Sequence, residues 1–297
     1  MPVISIDAPV GGLNAFDSVD AMPPTDAVIL KNWIPRSGYL ESRPGYEIVS
    51  ADLGGPVESL MAFKSEGAGN ELVAAANSTL YNVTNGLTPI TLGSGYANDR
   101  WQHFLINDTM VICNGADIPK RTDGTAVIDL NLQLWNQALN GGEGDFEPFP
   151  DPEEIVGGIN FKGRAYYWKN ASQSFYYAQP GSFDGELFEF DLTSVVQTGG
   201  HIQSIFTWTR DTGTGPDDMI GFIFSNGEVL LYQGDDPGNV GYFEQVGRFE
   251  IPDPLGSRCW TKFGADVIIL TRNGYVNLVS VLKEDQASDF PAFSRKI

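Results

Sequence analysis

Histidine and cysteine are nearly missing from this chain of 297 residues, which holds two of each. Two cysteines cannot build a disulfide framework. Cys113 and Cys259 both sit in apolar strand-like runs, MVICNG and SRCWTKF, and read as small buried hydrophobes, with a single bridge left open. His103 and His201 stand apart, in no HExxH or Cys/His cluster, so each reads as a structural residue and zinc chemistry has no ligand set. Positive charge is scarce as well: 18 Lys and Arg face 38 Asp and Glu, a net charge of −20. Such a surface repels phosphates and excludes groove-tracking nucleic-acid binding. It suits solubility, and equally a wall past which DNA slides without sticking. No apolar run approaches the length of a membrane-spanning helix. Residues 2–10, PVISIDAPV, lack the charged and apolar regions of a leader, so a cytoplasm-like compartment is expected. There is no GxSxG elbow, Walker loop or dinucleotide fingerprint, and no cofactor is expected.

What the chain does have is turns and aromatics. It contains 34 Gly and 18 Pro, and 12% of its residues are aromatic. From residue 55 onward, apolar runs of four to six residues alternate with turn signals about every ten. Val57–Phe63, Glu71–Ala76, Thr109–Cys113, Ile155–Phe161, Arg164–Lys169, Met219–Phe224, Val229–Tyr232 and Val267–Leu270 are among the expected strands. Asn226-Gly227 and Asn273-Gly274 predict two-residue hairpin loops with positive φ. A short helix is expected at Leu130–Leu139. The phrases NSTLYNV, NDTMVICNG, FKGRAYYW, SNGEVLLYQG and FGADVIILTRNG share one form, and begin at residues 77, 107, 161, 225 and 263. Their mean spacing is close to the roughly 40–50 residues of a propeller blade, though the scatter is wide. The expected fold is therefore all-β and β-propeller-like, incomplete or few-bladed. An extended N-terminal arm occupies residues 1–54, the propeller-like domain 55–281 and a polar tail 282–297.

The arm carries Trp33, Tyr39 and Tyr46, large side chains that need cover, and so reads as an assembly element lying on the same protein or on a neighbour. Two acidic loops stand out. DTGTGPDD holds Asp211, Asp217 and Asp218, and GGEGDFEPFPDPEE holds Glu143, Asp145 and Glu147. The first looks like a phosphate cradle until its missing Lys and its three carboxylates are counted. As a cation site, Asp211, Asp217 and Asp218, with Asp235 and Asp236 nearby, could offer hard oxygens to Ca²⁺, but the spacing fits no EF-hand or toxin repeat. Both loops are candidates for the wall of an acidic lumen. Glu186, Glu189 and Asp191 beside Phe188 and Phe190 could suggest a glycosidase pair, yet the alternation in ELFEFDL is that of a half-buried strand. Tyr166, Tyr167, Trp168, Tyr176 and Tyr177 read first as strand aromatics of a core; they would be the sugar-stacking platform if the protein were a glycan-binding module.

A resemblance spans nearly the whole chain. GLNAFDS…MPPTDAVILKNWIPRSGYLESRPGY at 12–46 resembles the opening of tail proteins of tailed bacteriophages. RWQHFLINDTMVICNGADIPKRTDGT at 100–125 is similar to that family's Trp-Gln, Asn-Gly-x-Asp-x-Pro and Asp-Gly-Thr signatures. FKGRAYYWKNASQSFYYAQPGSFDGELFEFDL at 161–192 and the stretch from Gly199 continue it. The resemblance implies a non-enzymatic structural subunit of the virion tail, assembled in the host cytoplasm: a nozzle, hub or tail-tube ring or a head–tail connector. It implies a homo-oligomeric ring, often of six copies, beside portal, adaptor or other tail proteins, through which DNA passes unbound. Relatives of this kind run past the position of Phe293–Ile297, so a propeller completed by another chain is also expected. The alternative is a receptor- or glycan-binding module of the tail.

Overall fold

The computed structural model describes residues 8–65, 69–211 and 216–283. The described chain is all-β apart from two short 3₁₀ turns and one helix, and five consecutive sheets form a five-bladed propeller arrangement. Blade 1 is β5 (Val57–Ser65), β6 (Gly69–Ala76), β7 (Thr79–Asn82) and β8 (Ile90–Ser94). Blade 2 is β9 (Gln102–Ile106), β10 (Thr109–Cys113), β11 (Lys120–Thr122) and β12 (Val127–Asp129). Blade 4 is β19 (Ile202–Asp211), β20 (Pro216–Phe224), β21 (Glu228–Gly234) and β22 (Phe243–Glu250). Blade 5 has three strands, β23 (Trp260–Phe263), β24 (Asp266–Thr271) and β25 (Gly274–Asn277), and runs into helix α1 (Leu278–Lys283).

Blade 3 is larger. Its first-made strands, β13 (Gln133–Asn136) and β14 (Asp145–Pro148), lie at the outer edge. The chain then crosses to β15 (Ile155–Phe161) and returns through β16 (Arg164–Lys169), β17 (Ser174–Ala178) and β18 (Glu186–Asp191). β13 closes against β18 in parallel, so the order is β14-β13-β18-β17-β16-β15. β13 replaces the helix expected over Leu130–Leu139. Asn136 ends the strand because its Oδ1 accepts the Ala138 amide and turns the chain.

The core lies between blades. Met61, Leu80, Trp101 and Ile112 fill the junction of blades 1 and 2; Phe104, Val111, Ile155 and Tyr167 that of 2 and 3. Tyr166, Phe175, Phe222 and Tyr232 fill that of 3 and 4, where the Phe175 and Phe222 rings stack 4.8 Å apart. Phe206, Trp208, Val267 and Val276 fill that of 4 and 5. Strands with a blade on either side bury both faces. That is why β16 reads as an unbroken apolar run: Tyr166 and Trp168 face blade 4, Ala165 and Tyr167 face blade 2. Blade 5 reaches blade 1 through Arg258, whose Nη1 donates to the Glu58 carbonyl (3.0 Å) and to Ser59 Oγ (3.2 Å).

Each of the five repeated phrases falls in a different blade, as a turn followed by β7, β10, β16, β21 or β24. These strands are third in their sheet counting from the innermost strand in blades 1 and 4, and second in blades 2, 3 and 5. The blade count is therefore in the sequence, while the spacing scatters because the phrase marks no fixed strand. The Asn-Gly turns differ from expectation. At Ser225–Gly227 and at Arg272–Asn273 the positive φ falls on Gly227 and Gly274 alone. The hairpins with both loop residues at positive φ are Asn77-Ser78, Asn107-Asp108 and Lys162-Gly163.

Candidate assembly surfaces

The arm is folded rather than simply extended. β1 (Gly12–Leu13) pairs with β2 (Asp26–Ala27) in parallel, and β3 (Trp33–Arg36) forms a hairpin with β4 (Tyr39–Ser42). Asn14 ties the first pair together. Its Oδ1 accepts the Phe16 and Asp17 amides, and its Nδ2 donates to Asp17 Oδ2 (2.8 Å) and Asp26 Oδ2 (2.7 Å). The same Asn-x-x-Asp knot recurs at Asn114-Gly115-Ala116-Asp117, where Asn114 Oδ1 accepts the Ala116 and Asp117 amides and Nδ2 donates to Asp117. Polar side chains that satisfy local backbone groups in this way fix a turn without a core.

With its backbone held from within, the arm leaves its large side chains outside. Trp33 is 51% exposed, Tyr39 57% and Tyr46 83%, and Ile29, Ile48 and Val49 are exposed too. A two-stranded hairpin of this size is marginal by itself. Over residues 29–49 the arm carries Lys31, Arg36 and Arg43 against Glu41 and Glu47, a slight positive excess in an acidic chain. Arg36 Nε pairs with Glu41 at 2.8 Å.

The two acidic stretches are not brought together. Glu143, Asp145 and Glu147 belong to the turn before β14 and to β14 itself, the outermost strand of blade 3. Asn136 Nδ2 donates to Glu147 Oε1 (2.8 Å). The other stretch lies at the inner hairpin of blade 4. Asp211 ends β19, while Asp217 and Asp218 lie in β20, so they are strand residues rather than a loop. Thr209 Oγ1 donates to Asp218 Oδ1 (2.7 Å). The side chains of Asp211 and Asp217 lie outside the described set, as do residues 212–215 and the tail from 284 to 297. Asp236 is engaged elsewhere, by Arg164 Nη2 at 3.4 Å. Among the described residues no group of three or more His, Cys, Asp or Glu could hold a metal ion.

Two surface depressions among the described residues are lined by mixed charge. One, of about 500 Å³, is lined by Lys64, Leu105, Asp108 and Asn160. Another, of about 470 Å³, is lined by Asn98, Arg100, Asn114, Asn170 and Arg258. His103, on the inner strand β9, is open to solvent, yet the surrounding protein holds its pKa below the ordinary value by desolvation. Tyr166, Tyr167, Trp168, Tyr176 and Tyr177 are core residues, all buried between blades, and offer no sugar-stacking surface.

Trp135, Phe146 and Phe188 form a half-buried aromatic shelf on the outer strands of blade 3. The Trp135 and Phe146 centroids are 5.1 Å apart and those of Phe146 and Phe188 5.5 Å. Its only sequence signal was the acid–aromatic alternation of DFEP and ELFEF.

No protein-family model matches the chain, and no curated protein matches it. Among solved structures it is similar to BBS1N in crystals of its complex with ARL6DN. The mercury-soaked form gives a TM-score of 0.49 at 14% identity, over 80% of this chain and 70% of that one. The lead-soaked form gives 0.47 at 15%, over 80% and 71%. At that likeness no partner or role transfers from those proteins to this chain.

Proposed function

We propose that this chain is a structural subunit of a phage virion tail, a nozzle, hub or tail-tube ring or a head–tail connector, which assembles through its N-terminal arm. The observation that carries the assembly reading is the arm's outward set of large apolar side chains. The six are 51–83% exposed, so covering what remains open is worth about 6–12 kcal/mol at roughly 1.5–3 for a fully exposed side chain. Association costs an estimated 4–15 kcal/mol in lost freedom, so this is the scale a stable contact requires. The tail assignment is supported by the motifs at 12–46 and 100–125. The net charge of −20 supports a DNA-shedding wall formed where copies meet.

Electron microscopy of the purified chain tests the assembly. Ring-shaped particles are expected for the native sequence, and their loss when Trp33, Tyr39 and Tyr46 are all changed to Ser. Monomers of 32.3 kDa at every concentration would refute it. Gold-labelled antibody against the chain, applied to intact phage, tests the location. Labelling of the tail is expected, and labelling confined to the capsid shell would refute the tail reading.

A further inference from the structure

We propose that the arm of one copy docks on the outer edge of blade 3 of the next copy, a pairing that rests on the ring reading above. Both surfaces are open in the single chain and they are complementary. On the arm, Trp33, Tyr39 and Tyr46 are exposed within a stretch, residues 29–49, that carries three bases and two acids in a chain with more than twice as many acids as bases. On blade 3, the half-buried shelf of Trp135, Phe146 and Phe188 is bordered by residues 143–154, which hold six acids and no base. The rest of the chain is strongly acidic, so this aromatic segment of slight positive excess is a fitting occupant, and aromatic rings take cations as well as rings. Among the described residues β14 is also a terminal strand of its sheet, with one edge unpaired. Its acids and Pro148 discourage pairing with another acidic edge and favour the arm hairpin, whose Arg36 and Glu41 cancel and whose flanks carry Lys31 and Arg43. Because the two surfaces are different patches, the contact is head-to-tail, and repetition closes a ring when the rotation permits.

The test uses charge reversal in the full chain. Arg36 and Glu147 are left alone because they are paired within the chain. One variant carries Lys31→Glu and Arg43→Glu, the other Glu143→Lys and Asp145→Lys. Assembly is read by sedimentation velocity at about 50 mM salt, where surface charges reach about 14 Å or more. The native chain is expected to form closed oligomers, and each variant alone to assemble at least about tenfold more weakly. An equimolar mixture is expected to recover assembly, because each reversed arm then meets a reversed edge. Unchanged assembly of both variants would overturn the pairing while leaving the ring reading intact. So would failure of the mixture to recover. A monomeric native chain would overturn the ring reading and the pairing with it.

Discussion

Replacing Glu228 tests how the third and fourth blades are joined. Glu228 begins β21 and is almost wholly buried, with 1% of its surface exposed. Its carboxylate accepts the Gln197 amide (3.2 Å), the Thr198 amide (3.0 Å) and Thr198 Oγ1 (2.7 Å), and it pairs with Arg248 Nε at 3.1 Å. Arg248 in turn donates to the Val195 carbonyl. The segment Val195–Thr198, which carries the chain from one blade to the next, is therefore pinned to one carboxylate. Glu228→Ala leaves Arg248 and three donors without that acceptor, and breaking a buried pair of this kind costs about 3–5 kcal/mol. At roughly 2–4 °C per kcal/mol, the melting temperature should fall by about 6–20 °C. Glu228→Gln keeps the shape but turns charge-assisted bonds into neutral ones, a loss of about 1–3 kcal/mol.

The pH dependence separates charge from shape. Burial alone would raise the Glu228 pKa, but the hydrogen bonds from Thr198 and Gln197 and the charge of Arg248 outweigh it and hold it below the model-compound 4.5. A depressed carboxylate stabilises the fold fully above its unfolded value, and that contribution is lost as pH falls through the folded value. Urea melts of native protein and Glu228→Gln should thus differ most at neutral pH and converge below 4.5. A gap that stays constant or widens on acidification, or an Ala variant within about 1 kcal/mol of native, would refute the reasoning.

Gly221 lies opposite Phe206 in the β19–β20 register, and a Cβ there would stand 2.1 Å from the ring of that buried residue. Gly221→Ala should cost about 1–3 kcal/mol by denaturant melting, whereas Gly45→Ala, with open space around it, should stay within about 0.5 kcal/mol. Cys113 and Cys259 are free and buried. Desolvation pushes the thiol of Cys259 up to about 12 and that of Cys113 well above its ordinary value, so neither should react with a thiol reagent at pH 8 until the protein unfolds. Arg258→Ala removes the donor to Glu58 and Ser59. Hydrogen exchange should then quicken in β5 and β23–β25 by about fivefold, the equivalent of about 1 kcal/mol, with β16 and β17 unchanged.

The blades were legible because turn chemistry and apolar runs are local. β10, β15 and β16 run over the residues expected of them, and the five repeated phrases mark five sheets. What was not legible depends on distant partners. β13 reads as an apolar helix-like stretch until β18, about fifty residues on, supplies the edge it pairs with. β22 (FEQVGRFE) carries too little apolar residue to announce itself and is a strand because β21 lies beside it. The aromatics of β16 and β17 read as core from their strand setting, but sequence does not show which neighbouring blade covers each ring. The arm's exposed residues were the part of the candidate site that could be read: Trp33, Tyr39 and Tyr46 were singled out by size, and each is open to solvent. The aromatic shelf could not be, because Trp135, Phe146 and Phe188 meet only when three strands align.

The order of strands in blade 3 also sets a clock for synthesis. β13 and β14 leave the ribosome first, yet Gln133 pairs with Glu186, and Leu134 with Leu187, about fifty residues later. At roughly 5–20 residues per second, this outer hairpin waits about 3–10 s for the strand that anchors it. During that interval Trp135 and Phe146 have only each other. Glu143 and Asp145 in the flanking turn and strand stand beside those rings as gatekeeper charges of the kind that discourage aggregation.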